Sequence, residues 1–178
     1  MRAMTQRISR LEKLLFRMEA QVACLAWAFR EIADKPGIVF EMGLGHGRTF
    51  HHLRQYLPDR NIYVFDREVN SYPDCTPTPE RMIVGELAST LPEAARRFAG
   101  QVVLAHSDIG SFSQEHNAAM AGLVSAHLAL ALAEGALILS DLPLAVPGTT
   151  RLPLPAGARE DRYYIYRYSP SAQAGTGR

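Results

Sequence analysis

Gly37-Ile-Val-Phe-Glu41-Met-Gly43-Leu-Gly45-His-Gly47-Arg48-Thr49 is the stretch on which the reading of this chain turns. Its first residues form a short apolar run bounded by turn formers, which predicts a buried strand. Arg48 to Leu57 has helical character and stops at Pro58. Between strand and helix, glycines at alternate positions permit backbone angles and close approaches that side chains would block. A ligand can then lie against the loop and the helix N-terminus, and three glycines exceed what a tight turn needs. The spacing is G-x-G-x-G, with Glu41 two residues before Gly43, and differs from the G-x-G-x-x-G dinucleotide fingerprint. A carboxylate here repels a pyrophosphate and favours an ammonium. The loop therefore suits a nucleoside carrying an amino acid better than a dinucleotide, which argues against a nucleotide-dependent oxidoreductase.

Strand and helix signals alternate from this loop onward. Asn61 to Asp66 reads as a second strand, followed by a Pro-containing loop through Pro79, and Arg81 to Val84 as a weaker third. Thr90-Leu-Pro-Glu93 has capping-box spacing, so a helix is expected from Thr90 to Phe98. Gln101 to Ala105 is strand four. A second capping signature at Ser111 opens a helix expected to run to Ala133 and stop at Gly135. Ala136 to Ser140 is strand five, then an irregular Pro-rich loop leads to an aromatic strand at Arg162 to Tyr168. This order predicts an α/β fold, a mainly parallel sheet with helices on both faces and a reduced C-terminal part. Ligands bind such sheets beyond the carboxyl ends of the strands. Glu41, Asp66, Glu86, Asp108 and Asp141 all stand at or just after such ends, and Asp66 is placed to accept hydrogen bonds from both hydroxyls of a ribose.

Ile8, Leu11, Leu15, Met18, Val22, Leu25, Phe29 and Ile32 recur at spacings of three and four, predicting one helical stripe from about Thr5 to Asp34. Leu14, Phe16 and Trp27 add apolar surface outside it, so residues 1–35 are expected to pack on the domain or in a homodimer. Residues 36–168 form the ligand-binding domain, and the small polar residues 169–178 a mobile tail. The chain has 178 residues with 19 Lys plus Arg and 18 Asp plus Glu. A net charge of +1 supplies no field that would collect nucleic acid. No apolar stretch reaches the roughly 18 residues that span a bilayer, and no secretory leader is evident, so a cytoplasmic protein is expected. The 2 cysteines, Cys24 and Cys75, have no zinc or C-x-x-C neighbours.

Val39 to Gly47 and Val64-Phe-Asp66 resemble the first two motifs of the class I S-adenosylmethionine-dependent methyltransferases, and Val84-Gly-Glu-Leu87 is a looser match to a third. The chain is similar to small stand-alone bacterial members with no assigned substrate. The resemblance implies a Rossmann-like methyltransferase fold with S-adenosylmethionine as cofactor. Glu41 would lie near the methionine ammonium, Gly43, Gly45, Gly47, Arg48 and Thr49 against the cofactor, Asp66 with Arg67 at the ribose, and Glu86 with Leu87 near the adenine. Pro73, Pro77 and Pro79 stand where that family has a helix.

Methyl transfer needs an aligned nucleophile and a dry pocket, with a base only if the nucleophile must lose a proton. His106, Ser107 and Asp108 follow strand four and are the candidates to face the methyl group, His106 as a base and Asp108 as a cofactor or substrate contact. They do not form the Asn-Pro-Pro-aromatic pattern used on DNA bases and glutamine amides, so a small-molecule acceptor is favoured. Asp108 and Asp141 alone make a poor metal set, and no metal is expected. The tyrosines Tyr163, Tyr164, Tyr166 and Tyr168 could line an aromatic acceptor pocket but are read as packing residues, which strands favour. The alternative function is a noncatalytic S-adenosylmethionine-binding or regulatory module.

Overall fold

The structure, a computed structural model, describes residues 8–170. Its strands are β1 (Ile38–Met42), β2 (Ile62–Asp66), β3 (Met82–Val84), β4 (Val102–Ser107), β5 (Leu132–Ser140), β6 (Thr149–Leu152) and β7 (Tyr164–Tyr168). They form one sheet in the order β3-β2-β1-β4-β5-β7-β6. The first five pair in parallel, while β7 runs antiparallel to both β5 and β6. The helices are α1 (Arg10–Glu31), α2 (Arg48–Tyr56), α3 (Leu87–Arg97) and α4 (Gln114–His127).

The apolar run of β1 is buried along its whole length, as a central parallel strand covered on both faces must be. Phe40, Met42 and Phe65 pack toward Leu91, Ala95 and Val124 of α3 and α4. Val39, Val64 and Leu104 pack on the opposite face with Cys24, Leu25 and Ala28 of α1 and Leu53 of α2. Each such Leu or Phe contributes about 1.5 to 3 kcal/mol by leaving water. Strand order reverses between β1 and β4, so the crevice where α/β sheets bind ligands opens at the carboxyl ends of those two strands.

Several element boundaries differ from the sequence expectation. Helix α3 begins at Leu87 behind Glu86, and the Thr90 hydroxyl donates to the Glu86 carbonyl at 3.2 Å instead of capping. Helix α4 is capped by Ser113, whose Oγ accepts from the His116 N–H at 3.2 Å, and ends at His127, well before Ala133. Gly135 is not a helix stop. It lies inside β5 at φ 73°, where the register with β4 steps from Leu132 opposite Val102 to Leu137 opposite Leu104, an irregularity of the kind glycine permits. Thr149–Leu152, read as loop, pairs with β7 as an edge strand. The sheet therefore keeps both terminal strands, and what is reduced is the connection from β5 to β6, where no helix is described. Between β2 and β3 the prolines give two 3-10 turns, Pro73–Cys75 and Pro79–Arg81.

Helix α1 starts at a capping box: Ser9 Oγ accepts from the Glu12 N–H at 3.1 Å, and the Ser9 N–H donates to Glu12 Oε2 at 2.7 Å. Thr5 to Arg7 lie outside the described residues, as does the expected tail from residue 171 on. The buried face of α1 is Ala20, Gln21, Cys24, Leu25 and Ala28, with Ile32 at its cap. At about 100° per residue this face is roughly a quarter turn from the anticipated stripe. Leu11, Leu15 and Val22 of that stripe are 75%, 50% and 55% exposed. None of the described helices is long and apolar enough to cross a membrane.

Candidate active site

A cleft of about 270 Å³ opens at the switch point, lined by Gly43 and Gly45 from the loop after β1, Asp66 at the end of β2 with Arg67 after it, Glu86 and Leu87 at the start of α3, and Asp108 after β4. The backbone builds its floor: the Gly43 N–H donates to the Phe65 carbonyl at 2.9 Å and the Asp108 N–H to the Met42 carbonyl at 3.0 Å. A Cβ on Gly43 would stand 2.5 Å from the Asp108 carbonyl oxygen, so only glycine lets β1 and β4 end this close together. Gly45 differs, since nothing lies within 4 Å of the position its Cβ would take. Asp66 Oδ2 accepts from the N–H groups of Leu44 and Gly45 at 2.8 and 3.0 Å, and Oδ1 from Arg67 at 2.7 Å. A carboxylate with about four acceptor positions retains capacity for a hydroxyl.

Under the loop lies a buried polar network. His106 on β4 is fully buried, with Nδ1 2.5 Å from Glu41 Oε2 and Nε2 against the Tyr163 hydroxyl. Burial holds the Tyr163 phenol well above its ordinary range, so it stays protonated, with its hydroxyl against His106 Nε2. Burial alone would lower the His106 imidazole, but the Glu41 charge and hydrogen bond reverse this and its net direction is up. Burial likewise pushes the Glu41 carboxyl up, against the opposing pull of His106. Glu41 Oε1 is buried with no hydrogen-bond partner, as is Ser107 Oγ. Gln21 joins this network to the cleft, its Nε2 lying 3.3 Å from Thr49 Oγ1, 3.4 Å from His106 Nε2 and 3.2 Å from Asp108 Oδ2.

A second, larger cavity of about 620 Å³ adjoins the cleft, between the first turns of α1 and the loops after β4 and β5. Arg10, Lys13, Leu14 and Arg17 line one side, Gly110, Phe112, Asp141 and Leu142 the other, with Asp161 and Arg162 at the edge. Arg17 clamps Asp108 Oδ1 at 2.9 Å. Asp141 accepts from the N–H groups of Ile109 at 3.3 Å and Gly110 at 2.8 Å. Its carboxyl is pushed up to about 7, by burial first and then by the Asp108 charge beside it. Among the described residues no cluster of three or more His, Cys, Asp or Glu side chains gathers as a metal set.

Residues 8–168 match the family described as S-adenosyl-L-methionine methyltransferase. The chain belongs to that family. Its activity is S-adenosylmethionine-dependent methyl transfer. A crystal structure of an S-adenosyl-L-methionine methyltransferase from Silicibacter pomeroyi DSS-3 is similar, with 42% identity over 92% of this chain and 100% of that one and a TM-score of 0.88. MycE methyltransferase of the mycinamycin biosynthetic pathway, solved with Mg, SAH and mycinamycin VI, shares the fold at 14% identity. There the match covers 93% of this chain and 55% of that one with a TM-score of 0.58. TrmN from Thermus thermophilus shares it at 16% identity, 85% and 52% coverage and a TM-score of 0.53. No curated protein matches the chain.

Of the residues singled out from the sequence, the methyltransferase brings Gly43, Gly45, Asp66, Arg67, Glu86, Leu87 and Asp108 into one cleft. Others fall elsewhere. Gly47 packs away from the cleft, where a Cβ would meet the Cys75 carbonyl at 2.3 Å. Arg48 is exposed and Thr49 faces Gln21, and neither lines the cleft. Glu41, His106 and Ser107 are fully buried and line neither cavity, because β1 and β4 are central strands sealed by α1. His106 thus has no opening through which to act as a base on an acceptor. Tyr164 and Tyr168 pack on the core, and Tyr166 also accepts the Leu144 N–H, whereas Tyr163 is part of the site network. Arg17, Gln21, Gly110, Phe112 and Tyr163 were not singled out as site residues. Only the polar position Gln21 inside an otherwise apolar buried face carried a signal.

Proposed function

We propose that this methyltransferase methylates a small-molecule acceptor held in the larger cavity, with its cofactor in the glycine cleft beside it. One observation carries the reading: Gly110 lines both spaces, so a ligand in each meets the other at that residue without a connecting channel. Bound in the cleft, S-adenosylmethionine supplies an electrophilic methyl group on a sulfonium, and transfer to an acceptor lone pair leaves a neutral thioether. The chain's own contribution is positioning and exclusion of water. Asp66 receives the ribose and Arg67, Glu86 and Leu87 border the base, while Glu41, sealed like His106, is left without a direct contact to the cofactor. Asp108, held by Arg17 and Gln21, stands between cofactor and acceptor. Asp141 faces the acceptor cavity with a carboxyl poised near neutrality and is assigned to receive the acceptor's proton, in place of the sealed His106. The exposed stripe Leu11, Leu15 and Val22 is assigned to a homodimer contact.

The test supplies methyl-labelled cofactor to the protein with, separately, the low-mass, protein and RNA fractions of a cell extract. Label transferred to the low-mass fraction is the expected result. Label entering only protein or RNA would overturn the small-molecule reading.

A further inference from the structure

The larger cavity carries an unbalanced charge. Arg10 and Lys13, three residues apart and so on one side of α1, line it together with Arg17 and Arg162. Arg17 is matched by Asp108 at 2.9 Å, whereas Arg10, Lys13 and Arg162 form no ion pair with any described residue. Two acids share the lining, Asp141 and Asp161. The Asp141 oxygens are already turned onto the Ile109 and Gly110 N–H groups, which leaves Asp161 against three cations. Arg10 and Lys13 are exposed and Arg162 half-buried, and together they line a concavity shared with Leu14 and Leu142.

The apolar half of the lining is equally unspent. Phe112 is 100% exposed although its loop is braced, Asn117 accepting the Ser111 N–H at 2.7 Å and donating to the Ser111 carbonyl at 2.9 Å. The Arg10 guanidinium carbon lies 6.0 Å from the centre of the Phe112 ring, so cation and aromatic surface meet at one place.

We infer that the methyl acceptor is an anion with an apolar body, its carboxylate or phosphate-ester group received by Arg10, Lys13 and Arg162 and its apolar part covered by Leu14 and Phe112. This rests on the reading of the larger cavity as the acceptor site. The test titrates SAH-loaded protein, by calorimetry, with 2-naphthoate, 2-naphthyl phosphate, 2-naphthalenemethanol and 2-naphthylmethylammonium. The two anions are expected to bind at least about tenfold tighter than the alcohol, with affinity falling as salt rises. Lys13→Gln and Arg162→Gln should each weaken the anions several-fold while SAH affinity, the control for folding, stays unchanged. Whichever anion binds tighter identifies the charged group, and either supports the assignment. Equal binding of the alcohol, or tighter binding of the ammonium, overturns the anionic assignment and leaves the cavity as acceptor site. Failure of every probe with SAH affinity intact overturns both.

Discussion

Asp66 and Asp141 are both carboxylates accepting backbone N–H groups, yet their surroundings set them to different tasks. Asp66 sits at a half-open edge of the cleft and ties the glycine loop to β2 through Leu44 and Gly45. Loss of a charge-assisted hydrogen bond costs roughly 1.5 to 3 kcal/mol, so Asp66→Ala should weaken S-adenosylmethionine binding about tenfold to a hundredfold. Calorimetry on the folded variant checks this, and unchanged affinity would remove Asp66 from the ribose. Asp141 is enclosed beside Asp108 and holds its proton up to about pH 7. The unfolded chain releases that proton near pH 4. Between these values the native state binds more protons than the unfolded one, so this group makes stability fall as pH rises from about 4 to about 7. Asp141→Asn keeps an acceptor for the Gly110 N–H but removes the titration. Its melting temperature should therefore drop less than the parent's between about pH 5 and about pH 8. The transfer rate should move the other way, rising through about pH 7 as Asp141 becomes able to take a proton, and the variant should lose that rise.

At the scale of one element, the loop after β1 separates the two uses of glycine. Gly43 is needed by the fold: the 2.5 Å approach of its Cβ to the Asp108 carbonyl would force the ends of β1 and β4 apart. Gly43→Ala should thus destabilise the protein by about 1 to 3 kcal/mol, measured by denaturant unfolding. Gly45 has φ +49 and free space, so Gly45→Ala costs only the left-handed backbone strain, about 1 to 2 kcal/mol. If the cofactor lies against Gly45, the added methyl group meets it, and S-adenosylmethionine affinity should fall further than stability does. Calorimetry showing parent-like affinity would mean that the cofactor does not lie against Gly45. The G-x-G-x-G spacing announced this loop, because backbone freedom is a local property. Where α3 and α4 begin and end was less legible: α3 starts behind Glu86 with no side-chain cap, Ser111 and Ser113 compete two residues apart before α4, and the packing of β5 against β4 chose between helix and strand for residues 132–135.

For the whole molecule, α1 both covers the sheet and leaves a hydrophobic stripe in water. Its apolar residues follow a seven-residue rhythm that drifts by about 20° per heptad around a straight helix. Leu25 and Ile32 therefore reach the core while Leu11, Leu15 and Val22 do not. A second copy covering that stripe would bury side chains worth about 1.5 to 3 kcal/mol each. Light scattering at micromolar concentration should give twice the 19.7 kDa chain mass, and Leu15→Glu with Val22→Glu should return the monomer without loss of cofactor binding. A parent that is monomeric throughout would reject the dimer. The sequence by itself determined the alternation of strands and helices, the glycine loop and the acids at the strand ends, because periodicity, turn chemistry and backbone freedom act between near neighbours. The tertiary structure alone decided which face of α1 is buried, that Gln21, His106 and Tyr163 meet across 85 and 57 positions of chain, and that a second cavity lies beside the first. Contacts between segments so far apart are chosen by packing, and packing leaves no local pattern along the chain.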